Sequence, residues 1–167
     1  MTKPFLIDVL GSHHVRKGFS CGVEALDQYF LAQVSQDVRR RATACYVAIE
    51  TATGKVAGYY TLAASGVPLA GMPDMIIKRL PRYPSVPVAR LGRLAVDLSY
   101  QGRRLGGALV WDAMTRAMRS EVAVFALVVD AKDDQAEAFY RHHGFVSFGS
   151  VYKQLILPLA SEGQTQG

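Results

Sequence analysis

The sequence predicts an α+β (α/β) fold: a mixed, mostly antiparallel, twisted sheet flanked by helices. Three observations predict it. Apolar runs and helical patterns succeed one another in the order β, α, β, β, long loop, β, α, β, α, β, β. The Thr51–Lys55 connection contains Thr53-Gly54, a hairpin signal between two strands. The stretch 91–118, LGRLAVDLSYQGRRLGGALVWDAMTRAM, passes from a strand through a glycine-bearing turn into a long helix.

The first strand is Phe5 to Leu10, and His13-His14 follow in a loop. No Cys or acidic residue stands at ligand spacing from that pair, so no metal is expected. A helix runs from Glu24 to about Arg40, with Leu26, Tyr29, Phe30, Val34 and Val38 as its apolar stripe. It ends in Arg39-Arg40-Arg41. Cations at a helix C-terminus complement the helix dipole. The same residues, Arg39 and Arg40 above all, also suit a phosphate-contacting patch, and the sequence leaves both readings open.

Cys45–Glu50 and Val56–Ala63 read as an antiparallel pair. The segment 64–87 holds Pro68, Pro73, Pro81, Pro84 and Pro87, so neither a long helix nor a central strand is expected there. A short helix is predicted over Met75–Leu80. The strand Val88–Val96 carries Arg90 and Arg93 on opposite faces, either as solvated arginines near a strand edge or as guides for an acidic substrate, and the sequence leaves both readings open. Ala123–Val129 is a nearly unbroken apolar strand of the kind buried on both faces. Gln135–His143 is a helix closed by Gly144, and Phe145–Phe148 and Val151–Leu157 are the final strands.

The 167 residues predict one domain over 1–160 with a disordered tail over 161–167. Half of the residues are hydrophobic, yet no apolar run reaches the roughly 18 residues of a membrane span. No membrane association is expected. Cys21 and Cys45 do not make a disulfide framework, and a reduced, cytoplasmic protein is the expectation. A net charge of +5 favours polyanionic partners: nucleic acid, CoA or acidic protein.

The turn at 103–108, Arg103-Arg104-Leu105-Gly106-Gly107-Ala108, fits R-x-x-G-x-A. A helix N-terminus presents N–H groups with no internal partner and a partial positive charge. Glycine lets an anion approach the backbone closely. Together with Arg103 and Arg104 this makes a candidate pyrophosphate cradle.

These residues resemble the acetyl-CoA site of the GNAT superfamily of N-acetyltransferases. The segment Ala136-Glu137-Ala138-Phe139-Tyr140-Arg141-His142-His143-Gly144-Phe145 resembles that family's last helix. A narrower likeness is to the GNAT toxins of bacterial type II toxin–antitoxin systems. It is carried by Phe19-Ser20-Cys21-Gly22, Leu26-Asp27-Gln28-Tyr29-Phe30, Gln36-Asp37, Tyr46-Val47-Ala48, Gly92 to Asp97 and Ala131-Lys132-Asp133-Asp134.

The resemblance implies a GNAT fold whose central strands, holding Val96 and Val129, splay apart. It implies acetyl-CoA as co-substrate, with no metal. Leu94, Ala95 and Val96 would hold the pantetheine arm and thioester, and Arg103, Arg104, Leu105, Gly106, Gly107, Ala108 and Lys132 the rest of the cofactor. Tyr140 would be the acid, since a phenol with a pKa near 10 is protonated at neutral pH, and a CoA-like thiolate near 8.5 would be its acceptor. Asp133 stands where many members carry Asn. Arg90, Arg93, Arg39 and Arg40 would contact tRNA.

The implied activity is acetylation of the α-amine of aminoacyl-tRNA, which blocks translation. The implied partners are a ribbon-helix-helix antitoxin, operator DNA through the antitoxin complex, and a second copy in a homodimer. No side chain is an obvious general base, which favours an α-amine, with a pKa near 7.7 to 8.0, over lysine near 10.4. Two other functions compete: acetylation of a protein or small-molecule amine, and a CoA-binding regulatory module.

Overall fold

A computed structural model describes residues 3–159, and the expected disordered tail lies outside them. The strands form one seven-stranded mixed sheet in the order β1-β2-β3-β4-β5-β7-β6, with helices flanking it. The α+β expectation holds. By its contacts the chain divides into two compact units: Met1–Ala63 with Gly92–Asp112, and Ala64–Leu91 with Ala113–Gly167.

In the first unit β1 (Phe5–Val9) pairs antiparallel with β2 (Ala44–Glu50), from Phe5↔Glu50 to Val9↔Tyr46. The strand β2 pairs with the start of β3 (Val56–Pro68) through the predicted hairpin, where Gly54 takes φ 75°. The register slips between Ala48↔Gly58 and Ile49↔Val56, which leaves Ala57 outside the ladder as a bulge. The Ala57 carbonyl instead accepts the Asp97 N–H at 2.8 Å. A hairpin irregularity thereby fixes the turn that follows β4.

The predicted helix over 24–40 is present but is not one regular α-helix. It is α1 (Glu24–Gln28), a π turn (Tyr29–Gln33) and α2 (Val34–Arg39). In the π turn the Val34 N–H donates to the Tyr29 carbonyl. The extra residue lets the adjacent Tyr29 and Phe30 both face inward. Phe30 stacks on Tyr59 at 4.3 Å within a core that includes Phe19, Val34, Cys45, Val47 and Ala95. Burying a ring of this size contributes about 3 kcal/mol. After α2, Arg41 adopts φ 58° and the Ala42 N–H closes on the Asp37 carbonyl at 2.9 Å.

The second unit corrects the reading of 64–87. The strand β3 runs on to Pro68, a 3-10 turn spans Leu69–Gly71, α3 is Asp74–Ile77, and β4 already begins at Ser85 (Ser85–Val96). The prolines are tolerated because each lacks only a donor. Pro68 ends its strand, and the Pro87 carbonyl still accepts the Phe125 N–H at 2.8 Å.

The strand β5 (Ala126–Asp130) is parallel to β4 over Val88–Arg90 opposite Ala126–Val128, and antiparallel to β7 (Gln154–Pro158). The last strand was expected from Val151; it starts later because Lys153 takes φ 61°, which interrupts an extended run. The two-residue β6 (Val146–Ser147) forms the edge. Val67, Met72, Ile76, Val86, Val88, Ala126, Val128, Phe148 and Ile156 make this unit's core. No helix of the described residues is long and apolar enough to cross a membrane.

Candidate active site

The predicted site residues fall in both units. Arg39, Arg40, Arg93 to Val96 and Arg103 to Ala108 belong to the first, and Arg90, Lys132 and Tyr140 to the second.

In the first unit β4 ends at Val96, a 3-10 turn spans Leu98–Tyr100, and α4 runs Leu105–Met118. This is the predicted strand–turn–helix, and hydrogen bonds lock the turn. One Asp97 oxygen accepts the Ser99 N–H at 2.9 Å and the other the Ser20 N–H at 3.0 Å. The Gln101 amide donates to the Val96 carbonyl at 3.0 Å and to the Cys21 carbonyl at 3.1 Å. Gly102 and Arg104 both have positive φ, 83° and 62°, which turns the chain sharply into α4. Sequence reasoning missed the parts played by Asp97 and Gln101. Their signal was present: two polar side chains between an apolar strand and a glycine, where turn carbonyls and N–H groups need partners.

The first turn of α4 is where helix geometry leaves N–H groups without intrahelical acceptors. Gly106 and Gly107 are half-buried there and bring no side chain that would cover them. Leu105, Leu109, Val110, Ala113 and Ala117 are buried. Ala108 is exposed, and its N–H already donates to the Arg104 carbonyl at 3.2 Å. Arg103 is exposed and lies 3.9 Å from Glu50, whose carboxyl is held low mainly by hydrogen bonds from Thr53 and Tyr100. Such an exposed pair is weak and leaves Arg103 free to meet an anion.

Leu94 and Val96 are half-buried and Ala95 is buried. A Cβ on Gly58 would come within 2.9 Å of the Ala95 carbonyl, so only glycine permits that approach. Arg93 does not project as a free cation. Its guanidinium lies 3.4 Å from the centre of the Tyr29 ring, and Tyr29 donates to Asp37 at 2.7 Å. Arg39 and Arg40 are exposed.

In the second unit Arg90 is ion-paired with Asp130 at 2.7 Å. Lys132 is exposed. Asp133 is the N-cap of α5 (Asp134–His142) and accepts the Ala136 N–H at 2.8 Å. That hydrogen bond explains an acid where many family members carry Asn: either side chain caps a helix.

Tyr140, on α5, is 9 % exposed and packs edge-on against Phe139 and Phe145 at 5.2 and 5.3 Å. Burial pushes its hydroxyl up to about 12. The phenol therefore stays protonated and is a donor at every physiological pH. Full transfer from an unperturbed phenol near 10 to a thiolate near 8.5 is already uphill by about 2 kcal/mol, and burial of Tyr140 disfavours it further. The phenol can steady a thiolate by hydrogen bonding while keeping its own proton.

The family model described as the acetyltransferase (GNAT) family matches residues 13–145. The chain belongs to this acetyltransferase family. It is 36% identical over 129 residues to a tRNA-acetylating toxin of Mycobacterium tuberculosis, covering 76% of this chain and 75% of the relative.

Among solved structures it is similar to AtaT complexed with acetyl-methionyl-tRNAfMet, with 30% identity and a TM-score of 0.86 over 92% of this chain and 94% of that one. A tyrosine-to-phenylalanine mutant of AtaT, solved with the C-terminus of the antitoxin AtaR and acetyl-CoA, gives 27% identity and a TM-score of 0.77 over 93% and 94%. The AtaT–AtaR complex has also been solved bound to DNA.

Proposed function

We propose that this enzyme moves the acetyl group of acetyl-CoA to the α-amine of aminoacyl-tRNA and so blocks translation, as the toxin of a toxin–antitoxin pair. One observation carries the reading: a likeness with a TM-score of 0.86, over 92% of the chain, to a protein complexed with acetyl-methionyl-tRNAfMet. The exposed Arg39 and Arg40 and the net charge of +5 suit the same polyanion.

Acetyl-CoA supplies the activated acyl group. The first turn of α4, with Arg103 and Arg104, binds its pyrophosphate, and Lys132 adds charge to the cofactor site. Leu94, Ala95 and Val96 hold the pantetheine arm by strand-like backbone contacts, and N–H groups near Val96 face the thioester oxygen. An unprotonated α-amine attacks the carbonyl carbon, the C–N bond forms, and the C–S bond breaks. Tyr140 donates a hydrogen bond to the departing sulfur. The proton that finally neutralises the thiolate is the one lost by the attacking nitrogen.

The partners on this reading are a ribbon-helix-helix antitoxin, operator DNA bound through it, and a second copy of the chain, in the cytoplasm. The test is incubation of the pure protein with charged tRNA, the matching free amino acids and labelled acetyl-CoA. Label on the aminoacyl nitrogen of tRNA alone is expected. Label on free amines alone would replace this reading with acetylation of a small-molecule amine.

A further inference from the structure

The second unit holds a side-chain network that the reaction above leaves unused. The Lys153 ammonium is ion-paired with Asp134 and Glu137, both in the first turn of α5, at 2.9 Å to the latter. Glu137 also accepts from Arg141 at 3.1 Å, and Arg141 donates to Ser147. The Asp134 side chain is 93% exposed, whereas Lys153 is 11% and Glu137 25% exposed, so the Glu137 arm is the sheltered one. The backbone is tied as well. The Lys153 carbonyl accepts the Ala131 N–H at 3.0 Å, just ahead of the Asp133 cap. Lys153 holds φ 61°, a conformation a lysine keeps only where its surroundings over-determine it.

The helix fastened in this way has nine residues, too short to hold its own direction in water. A ring contact joins its Tyr140 to Phe145, just ahead of β6. Tyr140 lies three residues after Glu137, on the same side of the helix by helical spacing. An anchor at Asp134 and Glu137 therefore governs where the Tyr140 hydroxyl stands.

We propose that Lys153 is a positioning residue for the Tyr140 hydroxyl: its ammonium, clamped between Asp134 and Glu137, sets the direction of α5 and so the point from which the phenol donates. This rests on Tyr140 being the hydrogen-bond donor to the departing thiolate. Lys153 itself touches no substrate, because its ammonium is engaged by two carboxylates. The network sits in the loop before β7, sixteen or more residues from its partners, and belongs to no contiguous motif.

The experiment is steady-state acetylation of charged tRNA by Lys153→Met, Lys153→Arg, Tyr140→Phe and the Lys153→Met/Tyr140→Phe double variant, with thermal unfolding of each. Misplacing a donor by about 1 Å costs on the order of 10²-fold, so Lys153→Met is expected to lose between about 10- and 100-fold in kcat. KM for acetyl-CoA should stay within about twofold, because the cofactor contacts are untouched. Lys153→Arg keeps the charge and should recover most of the rate. Added to Tyr140→Phe, Lys153→Met should lower kcat no further.

A folded Lys153→Met with the wild-type kcat overturns the proposal. So does a loss that multiplies with that of Tyr140→Phe, or an arginine variant as impaired as the methionine one. If Lys153→Met does not fold, Glu137→Gln must show the same kcat-only loss at smaller size, and an unchanged kcat there overturns it. A wild-type rate in Tyr140→Phe is a different failure: it removes the donor role on which the proposal rests.

Discussion

The two units hold their functional groups by different means. In the first, the candidate cradle is backbone: two positive-φ residues, Gly102 and Arg104, feed a helix start, and Asp97 and Gln101 pin the turn by hydrogen bonds to main-chain groups. In the second, the candidate donor is a side chain, Tyr140, on a short helix held by Asp133, Lys153 and the Glu137–Arg141 pair. A backbone device is written in one contiguous stretch. A side chain on a short helix depends on residues far along the chain. The first kind should tolerate side-chain changes that keep its φ angles; the second should respond to single distant charges.

The largest effect expected is in the second unit. Tyr140→Phe should lower kcat by about 10²-fold, as for the loss of one hydrogen-bond donor to developing negative charge, while acetyl-CoA affinity by calorimetry stays within about threefold. Wild-type turnover would erase the contrast between the units, since the second would then hold no reacting group. Next comes Gly58→Ala in the first unit. Its Cβ would sit 2.9 Å from the Ala95 carbonyl, so β4 must shift. Overpacking of this kind costs about 1–3 kcal/mol. A fall in Tm together with weaker acetyl-CoA binding is expected. An unchanged Tm would mean that β4 adjusts freely and is not the rigid backbone device described here.

The arginines sharpen the contrast further, because the sequence treats four of them alike and the structure does not. Arg90 is paired with Asp130 and Arg93 stacks on Tyr29, whereas Arg39 and Arg40 are exposed. Reversing Arg39 and Arg40 to Glu should weaken tRNA binding about tenfold and flatten its salt slope by about one per lost phosphate contact. Reversing Arg90 should act chiefly on stability. If Arg90 changes the slope and Arg39 with Arg40 do not, the tRNA surface is misplaced.

The same division explains what was legible beforehand. The strand–turn–helix that carries the candidate cradle was readable because its residues are consecutive and its glycines mark the turn. The hairpin and the buried strands β4 and β5 followed from period and turn chemistry. The π turn at Tyr29–Gln33 was not readable, since Tyr29, Phe30 and Val34 also fit an ordinary helical stripe. The extension of β3 and β4 into the proline-rich segment was missed because proline removes a donor but not an acceptor, and only the pairing partner tells which one a strand position uses. The fates of Arg90 and Arg93 needed Asp130 and Tyr29, which only the fold brings near. Asp133 read as a departure from the family pattern and proves to be a cap. Asp133→Ala should cost about 1 kcal/mol in thermal unfolding and Asp133→Asn almost nothing. Equal losses would show that its charge matters, not its cap.

The smallest effect discriminates most finely between charge and packing at Lys153. Its hydrogen bonds hold the carboxyls of Asp134 and Glu137 below their usual range, and the same partners raise Lys153 well above the usual lysine range. A carboxylate whose pKa is lowered by folding stabilises the protein above its unfolded value, about 4, and that stability disappears as pH falls through the lowered value. A lysine whose pKa is raised by folding stabilises below its unfolded value, about 10.4, and loses the effect as pH rises through the raised one. The Tm difference between wild type and Lys153→Met should therefore be level from about pH 5 to pH 10, and close in stronger acid. Glu50, in the first unit, also has a lowered carboxyl, but its hydrogen bonds come from Thr53 and Tyr100, so its acid sensitivity should be the same in both proteins. A Tm difference that persists undiminished near pH 2 would mean that the lysine stem, rather than its ammonium, holds α5, and the proposed clamp would then be apolar packing.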